Sequence, residues 1–364
     1  MTRIALLSRF HFDQVKRGLE AYALHLQKAF PQIEIIRLDG FSPIPKMLDL
    51  NLSRFCLEEV KQSWWLSRNF LQRHKKNPFD LVITSGEGGW HLALKKLNIP
   101  RVHIYALCGA AYADSALKKG QGPFSTKYLY GSFERLSGYG ASCVSISEKV
   151  CQEVEERYHW NSKMIPVGID LNQFAFTNPE EARKRIAPTI PTGKPIGLFV
   201  GQAEYAKGWD IVEQLASQFP QIQFVCILTN KITPLYPNIV IKNNLTNEEM
   251  TLWYNAADFF VFPSRYESAA LVVLEAMACN LPVVVSKPVA DVCLDPDANL
   301  DSSKGVYVTL ENHVEKYVEA IENLLSKNKR ATTRPYVEQR RSFKKFRDDY
   351  QKLITTLLNG KLLP

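Results

Sequence analysis

The sequence predicts an α/β protein made of two open, parallel-stranded domains. Three observations carry that expectation. The chain has 364 residues, beyond the roughly 250–300 at which a single hydrophobic core stops growing. Short apolar runs alternate with helical patterns in two successive series, the signature of βαβ units and parallel sheets. Between the two series, residues 175–195 hold Pro179, Pro188, Pro191 and Pro195, a charged patch and Gly193, which is linker composition.

In the first series, residues 4–7 read as a strand, and the loop 8–18 leads into an amphipathic helix over 19–30. A second strand at 33–38 precedes a long helical pattern, 52–76, and DLVITS at 80–85 supplies a third strand. Helix-patterned residues 90–97 lead to the strand RVHIYAL, 101–107. A longer helical region then precedes SCVSIS, 142–147. The second series opens with IGLFVG (196–201), a helix over 209–219, QFVCIL (223–228) and IVIKN (239–243). A helix over 247–257, DFFVFPS (258–264), an apolar helix and PVVVS follow. The expected division is 1–174, a linker at 175–195, a second domain at 196–342 and a terminal helix within 343–364. Open α/β domains hold ligands beyond the carboxyl ends of their strands, here in the cleft between the two.

Composition narrows the class. Apolar and charged fractions of 46% and 23% are those of a soluble globular protein. With 45 basic against 37 acidic side chains, the +8 balance favours anionic partners such as nucleotides, phosphorylated glycans or an acidic membrane surface. Cys56, Cys108, Cys143, Cys151, Cys226, Cys279 and Cys293 show neither a CxxC pair nor metal spacing, so reduced thiols in a cytoplasmic protein are expected. No run has the length of a signal peptide core or a membrane span, so membrane association would be peripheral. The helix at 52–76 mixes Phe55, Trp64, Trp65 and Phe70 with basic residues. That suits either a core helix with a wet basic face or one lying on an anionic membrane. No nucleic-acid module or aromatic-interleaved basic sheet is present, so nucleic acid is not an expected partner.

The chemistry concentrates in RYESAALVVLEAMACNLPVVVS, residues 265–286. Between Ala269 and Ala278 the only polar residue is Glu275, eight positions after Glu267. A buried carboxylate needs a partner. A carboxylate also accepts two hydrogen bonds from a vicinal diol, so the pair suits a nucleotide sugar, one glutamate on ribose and one on the sugar. The backbone N–H groups of Ser268, Ala269, Ala270 and Leu271, at the helix start, suit its phosphate.

These residues also carry a resemblance. P-S-x-x-E-x7-E-A-M-A followed by P-V-V is similar to the signature of retaining GT-B glycosyltransferases of the "group 1", family-four type. VSISEKV (144–150) with IPVGIDLNQF (165–174), and FVGQAEYAKGWD (199–210), resemble that family's other motifs in order and spacing. The resemblance implies the GT-B fold: two Rossmann-like domains facing across a cleft, with a C-terminal helix crossing back to the first. It implies a nucleotide diphospho-sugar on the second domain, a glycan or lipid-linked acceptor on the first, and chemistry without a metal or other cofactor.

Carried over residue by residue, Lys207 with Gly208 is the clamp for the leaving diphosphate, Glu267 orients the sugar and Glu275 grips ribose. Gly201 ends the preceding strand, and Gln202 stands where the family carries an arginine, so it can donate a hydrogen bond but brings no charge. Gly18, after Arg17, stands in place of the family's glycine pair near the donor phosphate. His103 is the nearest match to a histidine that contacts the donor sugar, although a strand histidine equally suits the core. GEGGWH, 86–91, could present Glu87 or His91 to the acceptor or be a plain turn. Gly168, Ile169 and Asp170 match the family's interdomain junction, where Asp170 could instead cap a turn. The alternatives are a GT-B chain that binds without catalysing and a sugar-nucleotide epimerase. General likeness to bacterial surface-glycan enzymes points to polysaccharide or lipopolysaccharide synthesis.

Overall fold

A computed structural model describes residues 2–9, 18–38, 40, 54–115, 125–186, 193–327 and 329–360. The chain divides into two compact units, Met1–Val167 with Phe346–Pro364, and Gly168–Lys345. Each holds one six-stranded parallel sheet among its described residues.

The first unit contains β1 (Ile4–Leu7), α1 (Gly18–Ala29), β2 (Ile33–Ile36), α2 (Arg54–Lys76) and β3 (Leu81–Ser85). After a 3-10 turn, Gly86–Gly89, come α3 (Trp90–Ala93), β4 (Arg101–Tyr105), α4 (Gly109–Ser115), α5 (Gly131–Gly138), β5 (Ser142–Ser145), α6 (Glu148–Tyr158) and β6 (Ser162–Met164). The strand order is β2-β1-β3-β4-β5-β6. The inner strands are apolar on both faces because helices cover both sides of a parallel sheet, and β1, β4 and most of β3 are buried throughout. Helix α2 packs through Leu66 and Phe70 into this core and exposes Arg68. That is the core-helix alternative for 52–76. Among the described residues no helix is long and apolar enough to cross a membrane.

The second unit contains α7 (Pro179–Ile186), β7 (Ile196–Gly201), α8 (Trp209–Gln218), β8 (Gln223–Leu228), β9 (Ile239–Asn243), α9 (Asn247–Ala256), β10 (Phe259–Phe262) and α10 (Leu271–Ala278). It continues with β11 (Val283–Ser286), α11 (Lys287–Cys293), β12 (Val306–Thr309), α12 (Val314–Lys327) and α13 (Arg334–Arg340), and α14 (Phe343–Leu358) closes the chain. The strand order here is β12-β11-β10-β7-β8-β9. Helix α8 shows why such segments are helical and where they lie: Trp209, Ile211, Val212, Leu215 and Ala216 form one buried stripe. Helix α9 starts at a capping box in which Thr246 and Glu249 satisfy each other's backbone N–H groups at 3.2 and 2.7 Å.

Two expectations about boundaries change. The proline-rich stretch 175–195 is not a plain linker, because α7 occupies 179–186 and buries Ala182 and Ile186 in the second core. Pro179 is the first helical residue, where its missing N–H costs nothing. Glu180 and Glu181 then meet the positive end of the helix dipole, and Arg183, Lys184 and Arg185 the negative end. The units part after Val167 rather than after residue 174. Ile169 is tied to a later stretch of the chain by Ile169 N–H to Arg341 O at 2.7 Å and Phe343 N–H to Ile169 O at 2.9 Å. Asp170 takes its capping alternative, accepting from Asn172 N–H at 3.1 Å. The terminal helix belongs to the first unit from Phe346 onward. There Tyr350 meets Tyr22, the two hydroxyls 2.5 Å apart.

Candidate active site

Strand order locates the site before any side chain is considered. In the second unit the chain runs from β7 outward to β8 and β9, then returns to lay β10 on the other side of β7. At such a reversal the loops leaving two neighbouring strands diverge, which opens a crevice beyond their carboxyl ends. Those loops, 202–208 and 263–270, contain Gln202, Lys207, Gly208, Glu267, Ser268, Ala269 and Ala270.

The loops are joined to each other. Arg265 N–H donates to Ala206 O at 2.8 Å and the Ser264 hydroxyl to the same carbonyl at 3.0 Å. The Arg265 guanidinium grips both oxygens of Asp210 at 2.8 and 2.9 Å and lies 3.7 Å above the Tyr205 ring. Gly208 adopts φ +72°, and a Cβ there would sit 2.2 Å from Pro263 O. Only glycine allows the loops so close. Gly201 carries no such demand, since a Cβ there would meet Phe199 at an ordinary 3.4 Å. Gln202 is partly buried just past β7.

Lys207 and Glu267, assigned separate roles from sequence, lie together, with Nζ 2.5 Å from Oε1. The glutamate side chain is 10% exposed and the lysine 28%. An ammonium has three donors and this contact uses one, so Lys207 keeps capacity for a ligand.

Ala270 caps α10 in the left-handed region, φ +47° and ψ 49°. An alanine there stores roughly 1–2 kcal/mol. Its carbonyl receives Val273 N–H at 3.0 Å, while the amides of Ser268, Ala269, Ala270 and Leu271 fall before and at the first turn, where helix geometry supplies no acceptor. One turn on, Glu275 has a protein partner that the sequence did not disclose. The hydroxyl of Tyr254, on α9, donates to its Oε2 at 2.8 Å. Burial pushes the Glu275 carboxyl up to about 7, and the tyrosine holds it back from going higher.

In the first unit, His103 is not a sugar contact. It lies in mid-strand on β4, fully buried, with Nδ1 2.9 Å from Thr84 Oγ1 and its ring edge-on to Tyr105. Burial, with Arg101 nearby, depresses its pKa to about 3, so it is a neutral core histidine. Gly18 is the first residue of α1, and Arg17 falls outside the described residues. Glu87 is fully buried in the turn after β3. It pairs with Arg9 at 2.8 Å and accepts from the Ser63 hydroxyl at 3.2 Å. Arg9 also pairs with Glu59 at 2.7 Å. Sequence reading missed Arg9 and Glu59, yet β1 and β3 flank this sheet's own reversal, so the cluster occupies the equivalent of the second unit's crevice. His91 packs between Trp64 and Trp90. Among the described residues no three His, Cys, Asp or Glu side chains converge as metal ligands.

Residues 194–327 match the family model described as glycosyl transferases group 1. The chain is similar to a D-inositol 3-phosphate glycosyltransferase of Xylanimonas cellulosilytica, 27% identical over 237 residues, 57% of this chain and 55% of that one. It is similar to a putative teichuronic acid biosynthesis glycosyltransferase, TuaC, of Bacillus subtilis, 28% identical over 44% of this chain and 42% of that one. These matches span about half the length of the curated relatives. Among solved structures, sucrose-phosphate synthase from Thermosynechococcus elongatus superposes with a TM-score of 0.79 at 19% identity, over 99% of this chain and 100% of that one. Anabaena HepE in complex with UDP-glucose superposes with a TM-score of 0.74 at 14% identity, over 98% and 100%. Likeness at that identity fixes the fold as GT-B.

Proposed function

We propose that this chain, a GT-B protein whose residues 194–327 match the group 1 glycosyl transferases, moves a sugar from a nucleotide diphospho-sugar to an acceptor hydroxyl with retention. The observation that carries the reading is the convergence of Lys207, Glu267 and the start of α10 at the sheet reversal, with Glu275 one turn further on. Lys207 and the amides at the start of α10 receive the diphosphate, Glu267 orients the sugar and Glu275 accepts from ribose hydroxyls. No metal or cofactor is required. The bond from the anomeric carbon to the phosphate oxygen breaks, the acceptor oxygen bonds to the same face, and its proton passes to the departing phosphate. Charge growing on that phosphate is stabilised by donors already in place. The donor occupies the second unit and the acceptor, a glycan or lipid-linked saccharide of a bacterial surface polysaccharide or lipopolysaccharide, the first. The reaction is placed in the cytoplasm, with any membrane contact peripheral.

Gln202 in place of arginine, together with a Lys207 already neutralised by Glu267, favours a second reading, a chain that binds nucleotide without catalysing transfer. Thermal protection by a panel of nucleotide diphosphates and nucleotide sugars tests the first part of both. A ligand at 100 times its dissociation constant adds roughly 2.7 kcal/mol. One base protecting wild type but neither Glu275→Ala nor Lys207→Ala supports the donor site. Slow hydrolysis of the matching nucleotide sugar, lost in Lys207→Ala, then separates the enzyme from the inert binder. No protection of a folded sample by any member rejects the donor site.

A further inference from the structure

Helix α10 is an apolar rod with one carboxylate. Val273, Leu274, Ala276, Met277 and Ala278 are buried in the second core, while Glu275 lies on the partly exposed face of the same helix. Among the described residues Tyr254 is its hydrogen-bond partner, at 2.8 Å to Oε2. That tyrosine is fully buried, with its ring set edge-on to Phe174 and to Phe260 at centroid distances of 6.1 and 6.0 Å. Its backbone is fixed as well. Arg330 donates to Tyr254 O at 2.8 Å and to Ala257 O at 2.6 Å, and reaches Cys279 O, just past α10, at 3.3 Å. One guanidinium therefore ties the end of α9 to the end of α10, and the hydroxyl and the carboxylate are held in register from both sides.

Resting on the donor-site reading above, we propose that Tyr254 is a positioning residue that binds Oε2 of Glu275 and leaves Oε1 as the single oxygen offered to the ribose diol of the nucleotide. A buried aromatic ring has two side-chain torsions and here neither is free, so its hydroxyl acts as a fixed stop for the carboxyl group. A hydrogen bond to the ionised form also keeps that form available at neutral pH. The titratable and charged groups around the pair are Tyr254 on α9 and Cys279 at the end of α10, with Arg330 and Arg334 acting on Cys279.

The test measures dissociation constants of UDP, ADP and GDP between pH 5.5 and 8.5 for the full chain, with Tyr254→Phe, Glu275→Gln and the double variant alongside. For the nucleotide that binds, wild-type affinity is expected to fall as pH drops through the carboxyl's titration. In Tyr254→Phe the midpoint moves up by about one pH unit, the change that loss of a charge-assisted hydrogen bond produces. Glu275→Gln flattens the profile, and adding Tyr254→Phe to it changes affinity less than about twofold. Equal weakening by Tyr254→Phe at every pH and in both backgrounds would overturn the proposal and leave the donor site standing. Failure of all three nucleotides to bind wild type would overturn the donor site and this proposal together. Should Tyr254→Phe not fold, Glu275→Asp withdraws the carboxyl from the same hydroxyl, and an unmoved midpoint there refutes the proposal equally.

Discussion

Gly208→Ala tests whether the loops at 202–208 and 263–270 form one rigid platform. The added methyl meets two costs. At φ +72° an alanine pays roughly 1–2 kcal/mol for the left-handed region. Its Cβ would also lie 2.2 Å from Pro263 O and 2.7 Å from Pro263 Cγ, and a backbone carbonyl cannot swing aside as a flexible side chain can. Overpacking of this kind adds about 1–3 kcal/mol. The expected loss is thus about 2–5 kcal/mol, a large part of the 5–15 kcal/mol typical of a whole domain. Gly201→Ala is the internal control, because its new methyl finds only an ordinary contact at 3.4 Å and should cost under about 1 kcal/mol. Urea unfolding followed by tryptophan fluorescence reads both, since Trp209 adjoins Gly208 and is buried in the second unit. Equal stability of the two variants, or nucleotide protection undiminished in Gly208→Ala, would refute the platform argument.

Two further outcomes concern stability. Burial raises the Glu134 carboxyl to about 8 despite hydrogen bonds from the Tyr158 hydroxyl at 2.6 Å and Gly109 N–H at 2.8 Å. A carboxyl with a raised folded-state pKa contributes stability that is complete below its ordinary value near 4.5 and is lost as pH rises through 8. The first unit should therefore lose about 1.4 kcal/mol for each pH unit over which Glu134 keeps its proton only in the folded state. Its thermal midpoint should fall accordingly from pH 5 to 8.5, and Glu134→Gln should flatten the fall. A stability that rises over that range would contradict the assignment. Ala270→Gly should relieve the left-handed cap and leave the protein level or up to about 1 kcal/mol more stable, as read by urea midpoint, in contrast to ordinary alanine-to-glycine changes, which destabilise.

The sequence by itself determined the alternation of strands and helices, the approximate position of most of them and the candidate residues that fall in the loops at the second sheet's reversal. Periodicity is a local property, so IGLFVG, QFVCIL and IVIKN could be read directly, and their observed strands coincide with those runs. The spacing of Glu267 and Glu275 and the Lys207-Gly208 pair are equally local. Proline misled at 179, because the same residue that breaks a helix also begins one. What no local pattern contains is which strands become neighbours. The placement of β10 against β7 brings Lys207 to Glu267 across sixty residues of chain. It also gives Gly208 its steric reason and makes the crevice. The partner of Glu275 comes from Tyr254, twenty-one residues earlier, in a helix whose sequence pattern shows no sign of that contact. His103 looked like a ligand contact by position in the chain and proved to be core by depth in the sheet. Arg9, Glu59 and Glu87 had no signal in common until β1, α2 and the turn after β3 packed together. Burial, and with it the ionisation of Glu275, Glu134 and His103, is a property of the assembled core, since desolvation depends on every neighbour at once.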